Sequence, residues 1–310
     1  MKTIMVLSGG TATAWSICEA VRSVASSKVK LIVCDTNPEY LVHTSILADA
    51  FFTVPPIKSE GYYEYMLQLM KELKVNILIP LIDLDLQLFP RDNPILVKMG
   101  IFSTAPVSHT FQALSDKKKL YNTLIDLDIP TPRLYEKTEI EPDITYFVKP
   151  QLGFGSRNAR SMLGKDILTQ EIGECVIQEI CTYPELTVDV FACNHLVLTA
   201  CRERIETKAG VCTKARVFAC DEISEEIKKL AAHLPLPEVC CMQFMKGVNG
   251  QWMLTDCNLR LGAGSALSAA VGFCAAKAAV ANWLNMPKIM PIQPETEKYV
   301  LRHYTEIVTK

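Results

Sequence analysis

The sequence is short of net charge. Its 32 basic side chains stand against 34 acidic ones, a formal charge of −2, so no bulk field draws it to nucleic acid or to an anionic membrane. It also lacks paired cysteines. There are 12 in 310 residues, with no Cys-x-x-Cys pair and no His–Cys cluster at zinc spacing. Several, including Cys34, Cys175 and Cys240, sit inside apolar runs and read as buried free thiols in a reducing compartment, the cytoplasm. The five histidines (His43, His109, His195, His233 and His303) are scattered and suggest no Ser-His-Asp set. The opening MKTIMVLSGGTATAW has too short an apolar run for a signal peptide. Residues 263–281 are rich in Ala and Gly, but they include Lys277 and have no basic flanks. They read as a buried helix with close backbone contacts, not as a membrane span.

What is present is an ordinary enzyme-like composition, 49% apolar and 21% charged, in a chain long enough for two or three lobes. Up to about residue 110, strands and helices alternate. Strands are expected at Thr3–Leu7, Lys30–Cys34, Ala50–Val54 and Asn76–Pro80, with helices over Ala14–Val24 and Tyr62–Leu73. Apolar strands alternating with helices imply a parallel, doubly wound sheet, which binds ligands at its strands' carboxyl ends. Ser8, Gly9, Gly10, Asp35 and Asp83 fall at such ends. The first loop reads Gly-Gly-Thr-Ala-Thr-Ala, which is not a dinucleotide fingerprint. Asp35 could still mimic the acid that binds a ribose; the duller reading is a lobe that walls one side of a substrate pocket.

A helix is expected from Asp116-Lys117 to about Leu127, capped by Ser115 or Asp116 and broken by Ile129-Pro130-Thr131-Pro132. From Tyr146 onward the strands (Tyr146–Lys149, Val176–Glu179, Leu186–Phe191, Leu196–Cys201) read as antiparallel, an α+β region. A polar, basic loop around Lys208 and Gly210 follows, then a helix over Ser224–His233 and, late in the chain, a strand over Lys298–His303.

Gln243 to Arg260, QFMKGVNGQWMLTDCNLR, carries the most information. Side chains two apart on a strand face the same way, so Asp256, Asn258 and Arg260 share a face, and a turn at Gly247-Asn249-Gly250 returns Gln243 beside them. Oxygen donors beside a guanidinium suit Mg²⁺ bound to phosphates. A surface hairpin with a wet polar face is the plain alternative.

Five features stand in order: Asp116-Lys117; Phe147-Val148-Lys149-Pro150 before a loop with Gly153, Gly155, Ser156 and Arg157; Gln178-Glu179-Ile180 with Glu185 beyond; the basic stretch; and Gln243 with Asp256-x-Asn258-x-Arg260. This order resembles the ATP-grasp superfamily, most closely its carbamoyl-phosphate-synthase-like branch, over roughly Thr3 to Gly272. The fold the resemblance implies is α/β plus α+β. A Rossmann-like domain (1–112) precedes an ATP-grasp fold whose two α+β subdomains clamp ATP, a small lid (113–182) and a central part (183–310).

By the same resemblance, Lys149 and Lys117 hold phosphates, with Lys117 alternatively one of three solvated lysines on a helix face. The loop of Gly153, Gly155 and Ser156 covers the phosphates, and Asn158, where the family often has glycine, tolerates a left-handed backbone. Gln178-Glu179-Ile180 reads adenine through its backbone, and Glu185 takes the ribose hydroxyls unless it is a solvated loop residue. Gln243, Asp256 and Asn258 are metal ligands, the neutral Gln243 a weaker one than a carboxylate. Arg260 steadies the transferred phosphoryl group, while Leu259, in place of the usual proline, points away. Gly262–Ser265 begins a helix whose N-terminus can face an anion. Arg202, Arg204, Lys208 and Lys214 hold a carboxylate substrate, or form an exposed ribbon.

The implied activity is ATP-dependent joining of a carboxylate to an amine or thiol through an acyl phosphate, with ATP and Mg²⁺ as cofactors. Phosphorylation of a carboxylate or bicarbonate, or a nucleotide-binding regulatory module without turnover, are the alternatives. The partners implied are small molecules, with a homodimer admissible.

Overall fold

A computed structural model describes residues 1–153, 158–208 and 210–309. The first five strands are β1 (Lys2–Val6), β2 (Val29–Asp35), β3 (Ala50–Thr53), β4 (Ile77–Ile79) and β5 (Phe102–Ser103). They form a parallel sheet in the order β3-β2-β1-β4-β5. β1 and β2 are nearly continuous apolar runs because helices cover both faces of such a sheet. The helix Ala12–Ala25 packs its Ala14, Ile17 and Val21 into one cluster with Ile4, Leu31 and Ile79. The helix Tyr62–Glu72 seats Met66 and Met70 against Met5 and Ile32 on the other face.

The glycine loop after β1 serves its own lobe. Gly10 N donates to Asp35 Oδ2 at 2.7 Å, and the backbone N and Nδ2 of Asn37 donate to Asp35 Oδ1, each at 2.9 Å. Asp35 is buried and saturated by its own chain, so it does not stand as a ribose acceptor.

The small antiparallel sheet, ordered β6-β9-β7-β8, comprises β6 (Leu134–Tyr135), β7 (Thr145–Pro150), β8 (Arg160–Leu163) and β9 (Cys175–Gln178). Its core is modest: Ile140, Tyr146, Val148, Met162, Ile167 and Ile177. The large sheet, β14-β13-β10-β11-β12-β15, is fully antiparallel. Its strands are β10 (Thr182–Cys193), β11 (Leu196–Lys208), β12 (Val211–Phe218), β13 (Val239–Lys246), β14 (Trp252–Asn258) and β15 (Lys298–Leu301). The helices Lys117–Asp126 and Asp221–His233 bury Leu120, Tyr121, Leu124, Ile223, Ile227 and Leu230 in one cluster with Val188 and Met242 of this sheet.

Two expectations are corrected. The basic stretch after Cys201 is not a loop: β11 continues to Lys208 and returns as β12. Ion pairs hold this hairpin, Arg216 to Glu203 at 2.7 Å and Lys214 to Glu206 at 2.9 Å. Residues 263–281 are not one helix but two, Ser265–Ala269 and Ala275–Trp283. The break falls at Gly272, whose φ of +102° only glycine adopts without strain. The second helix packs Ala278, Ala279 and Val280 in the cluster of the first, joining the N-terminal lobe to the large sheet.

Candidate active site

The register of the large sheet builds the site. Arg202 pairs with Thr187, Thr187 with Gln243 and Gln243 with Asp256, so four side chains form one row on one face across β11, β10, β13 and β14. With strands roughly 4.8 Å apart, the row is about 14 Å long. The next row on that face carries Asp189, Cys241 and Asn258.

One irregularity shapes the end of the row. Gln243 pairs with Asp256 but Phe244 pairs with Leu254, so Thr255 is an extra residue in β14. The bulge turns the Thr255 carbonyl out of the ladder to accept from Lys149 Nζ at 2.8 Å. Lys149 Nζ also donates to the Tyr121 hydroxyl at 2.8 Å, and that hydroxyl lies 2.7 Å from Gln178 Oε1. Tyr121, on the helix Lys117–Asp126, is fully buried. Burial lowers the Lys149 pKa to about 8, against the opposing pull of Asp256 and with a further push from Lys117. Lys117 is buried as well, its Nζ donating to the Gly153 carbonyl at 3.1 Å, and is not one of a solvated trio.

Three cavities meet at this point. One of about 330 Å³, between the small and large sheets, is lined by Lys117, Lys149, Gln178, Ile180, Glu185, Gln243 and Asp256. A second of about 590 Å³ touches Gly153, Asp256 and Asn258 from the side of the N-terminal lobe and includes Asp83. A third of about 170 Å³ is lined by Arg202, Arg204, Gln243, Asn258, Arg260 and Gly264. The expected metal ligands Gln243, Asp256 and Asn258 are thus shared among the three. Among the described residues no three His, Cys, Asp or Glu side chains form a metal cage. One carboxylate and two amides suit Mg²⁺ only when phosphate oxygens supply the remaining ligands.

The arginines of the third cavity each face an acid. Arg202 is buried against Asp189, Nε to Oδ2 and Nη2 to Oδ1 both at 3.2 Å, and Ser268 Oγ donates to the same Asp189 Oδ2 at 2.6 Å. Arg204 pairs with Glu185, which links the first cavity to the third. Arg260 Nη2 lies 3.5 Å from Asp83 Oδ2. Gly264 abuts the Arg202 guanidinium so closely that any side chain there would have to displace it. The helix it caps, Ser265–Ala269, is five residues long.

Other expected residues fall elsewhere. Glu179 accepts from the backbone N of Arg133 through Oε1, at 2.8 Å. Lys208 is exposed at the far end of the β11–β12 hairpin and lines none of these cavities. Gly155 and Ser156 lie outside the described residues. Asn158 has the left-handed backbone expected of it, φ 64°, and Leu259 is buried in the core. The sequence reading missed Tyr121, Thr255 and the role of Asp83. Tyr121 stands four residues after Lys117 on one helix face, which is the signal that could have found it.

A family model for the ATP-grasp domain matches residues 114–263, and one for the PylC-like N-terminal domain matches residues 4–102. Residues 114–263 are thus an ATP-grasp domain, with a PylC-like N-terminal domain in front. No curated protein sequence matches it. Its fold is similar to that of the biotin carboxylase domain dimer of Hydrogenobacter thermophilus 2-oxoglutarate carboxylase, solved with MgADP, ADP and bicarbonate. That match has a TM-score of 0.77 and 12% identity over 96% of this chain and 73% of that one. N5-carboxyaminoimidazole synthetase from Staphylococcus aureus matches with a TM-score of 0.75 and 15% identity, over 97% and 82%. An L-amino acid ligase from Bacillus licheniformis matches with a TM-score of 0.72 and 14% identity, over 94% and 75%. At such identities the likeness is one of fold.

Proposed function

We propose that the protein is an ATP-dependent, ADP-forming ligase that activates a carboxylate as an acyl phosphate and passes the acyl group to a nucleophile. The observation that carries this reading is the convergence of three cavities on Gln243, Asp256 and Asn258. A ligase of this kind handles a nucleotide, a carboxylate and an acceptor, and all three must reach one point.

ATP occupies the cavity between the sheets, its phosphates beside Lys149 and Lys117 and its sugar beside Glu185. Mg²⁺ held by Asp256, Asn258 and Gln243 would offset the charge of the triphosphate. Lys149 and Lys117 hold the transferring end in line, and Arg260 faces the charge that develops there. The carboxylate lies in the arginine-lined cavity, beside Arg202, Arg204 and Arg260. Its oxygen attacks the γ-phosphorus and ADP leaves. Attack of the nucleophile on the acyl carbon then expels phosphate. In this reading 1–112 walls the acceptor side, 113–182 covers the nucleotide and 183–310 carries the reaction centre.

The arginine cavity, at about 170 Å³, suits a small carboxylate. That favours bicarbonate as a second reading, the anion bound in the H. thermophilus structure. Mg²⁺-dependent ADP release against a panel of carboxylates, with and without amines, tests both. Release requiring an organic carboxylate supports the ligase, and release with bicarbonate alone supports the second reading. ATP binding with no release under any condition refutes both.

A further inference from the structure

Asp83 opens the short helix Asp83–Leu88 directly after β4, and it is the residue of the N-terminal lobe that meets Arg260. The contact is long: Arg260 Nη2 stands 3.5 Å from Asp83 Oδ2, with about a fifth of each side chain exposed. Asp83 Oδ2 and Arg260 Nε are both buried, yet neither is hydrogen-bonded among the described residues. A buried carboxylate oxygen without a donor and a buried guanidinium N–H without an acceptor are each costly, and native proteins leave few of them. Together they describe what is missing, a group that donates to Asp83 while an oxygen beside it accepts from Arg260. Asp83 faces the cavity of about 590 Å³ and Arg260 the one of about 170 Å³, so such a group would sit where those cavities meet.

An ammonium approaching an acyl phosphate has this polarity. Its N–H bonds point to Asp83, and the phosphorylated carboxylate offers oxygens to Arg260. A thiol provides at most one weak donor and no charge to pair with the carboxylate. We propose that the 590 Å³ cavity is the acceptor site and that Asp83 receives the acceptor's ammonium, so that the nucleophile is an amine and not a thiol. This rests on the ligase reading above. The reaction balances as acyl phosphate plus ammonium giving amide, hydrogen phosphate and one proton. The new bond is C–N, the broken bond is the acyl C–O, and the amine sheds two protons, one to the phosphate and one to solvent.

The test separates acceptor binding from carboxylate activation. Hydroxylamine, uncharged at neutral pH, traps an acyl phosphate as a hydroxamate without needing an ammonium site. Wild type, Asp83→Asn and Asp83→Glu are assayed with Mg·ATP and a mixture of carboxylates. The nucleophile is hydroxylamine, a pool of the common amino acids, or 2-mercaptoethanol. The expected result is that Asp83→Asn raises KM for the amino-acid acceptor about tenfold or more relative to its effect on hydroxamate formation, since a charged hydrogen bond is lost. Asp83→Glu should recover part of the loss. An equal fall in both reactions would make Asp83 only a brace for Arg260 and overturn the inference. So would a wild type that prefers the thiol. No hydroxamate from wild type with any carboxylate would instead remove the ligase reading itself, and the acceptor site with it.

Discussion

Lys149 is a buried cation whose protein partners are two neutral oxygens, and replacing it should separate binding from stability. In Lys149→Met the side chain keeps its reach and loses its charge. Burial moves the lysine from its usual 10.5 to about 8, which amounts to about 3 kcal/mol of strain on the folded protein at neutral pH. The variant escapes that cost. It forfeits the hydrogen bonds to Tyr121 and to the Thr255 carbonyl, at about 1 kcal/mol each. The net expectation at pH 7 is a free protein about 1 kcal/mol more stable than wild type by urea unfolding.

The sign with pH follows from the same shift. Between pH 8 and about 10.5 the unfolded chain holds the proton and the folded one has released it, so wild-type stability rises through that window. The variant should lack this rise. Ligand binding should go the other way. Losing a charged contact to phosphate weakens Mg·ATP by about thirtyfold. Where a hundredfold excess over Kd stabilises wild type by about 2.7 kcal/mol, the variant at the same concentration should gain about 1 kcal/mol. A variant less stable than wild type when free, yet equally stabilised by Mg·ATP, would refute the argument and take Lys149 out of the phosphate site.

Asp256→Ala and Asn258→Ala should each reduce ADP release at least about a hundredfold while the melting temperature changes little, since both side chains sit half-exposed at the cavity junction; near-wild-type rates in both would place the metal elsewhere. Gly264→Ala should displace the Arg202 guanidinium from Asp189 and, by breaking a buried ion pair, cost about 3 kcal/mol in urea unfolding. Asp85 is buried, and although Ser8 Oγ donates to it at 2.8 Å, burial raises its carboxyl to about 6. Between the usual 3.8 and 6 the folded state holds a proton that the unfolded state has lost, so stability should fall by about 3 kcal/mol as pH rises through that window, and Asp85→Asn should abolish the fall.

Much of this architecture was readable because it rests on apolar periodicity. The strand–helix alternation of the first lobe and the Gln243–Arg260 hairpin follow directly from period and turn residues, and Gln243 indeed lies opposite Asp256. The outer half of the β11–β12 hairpin escaped because its one large apolar side chain there, Ile205 between Arg204 and Glu206, is exposed, while ion pairs from Lys214 to Glu206 and from Arg216 to Glu203 join the strands. The Lys149 cradle escaped for another reason. Tyr121 and Thr255 are 134 residues apart, and the bulge that turns the Thr255 carbonyl toward the lysine is a property of register, which one strand's sequence does not carry. Asp189 did leave a trace, a lone acid in the apolar run Leu186–Phe191, but its pairing with Arg202 is diagonal across two strands.

Transfer of ¹⁸O from labelled carboxylate to inorganic phosphate tests the central claim most directly, using whichever carboxylate best stimulates Mg²⁺-dependent ADP release. An acyl phosphate formed beside Asp256, Asn258 and Arg260 requires a carboxylate oxygen in each phosphate released. Phosphate carrying no label, at a rate matching ADP release, would mean that water takes the phosphoryl group and that no carboxylate is activated at this site.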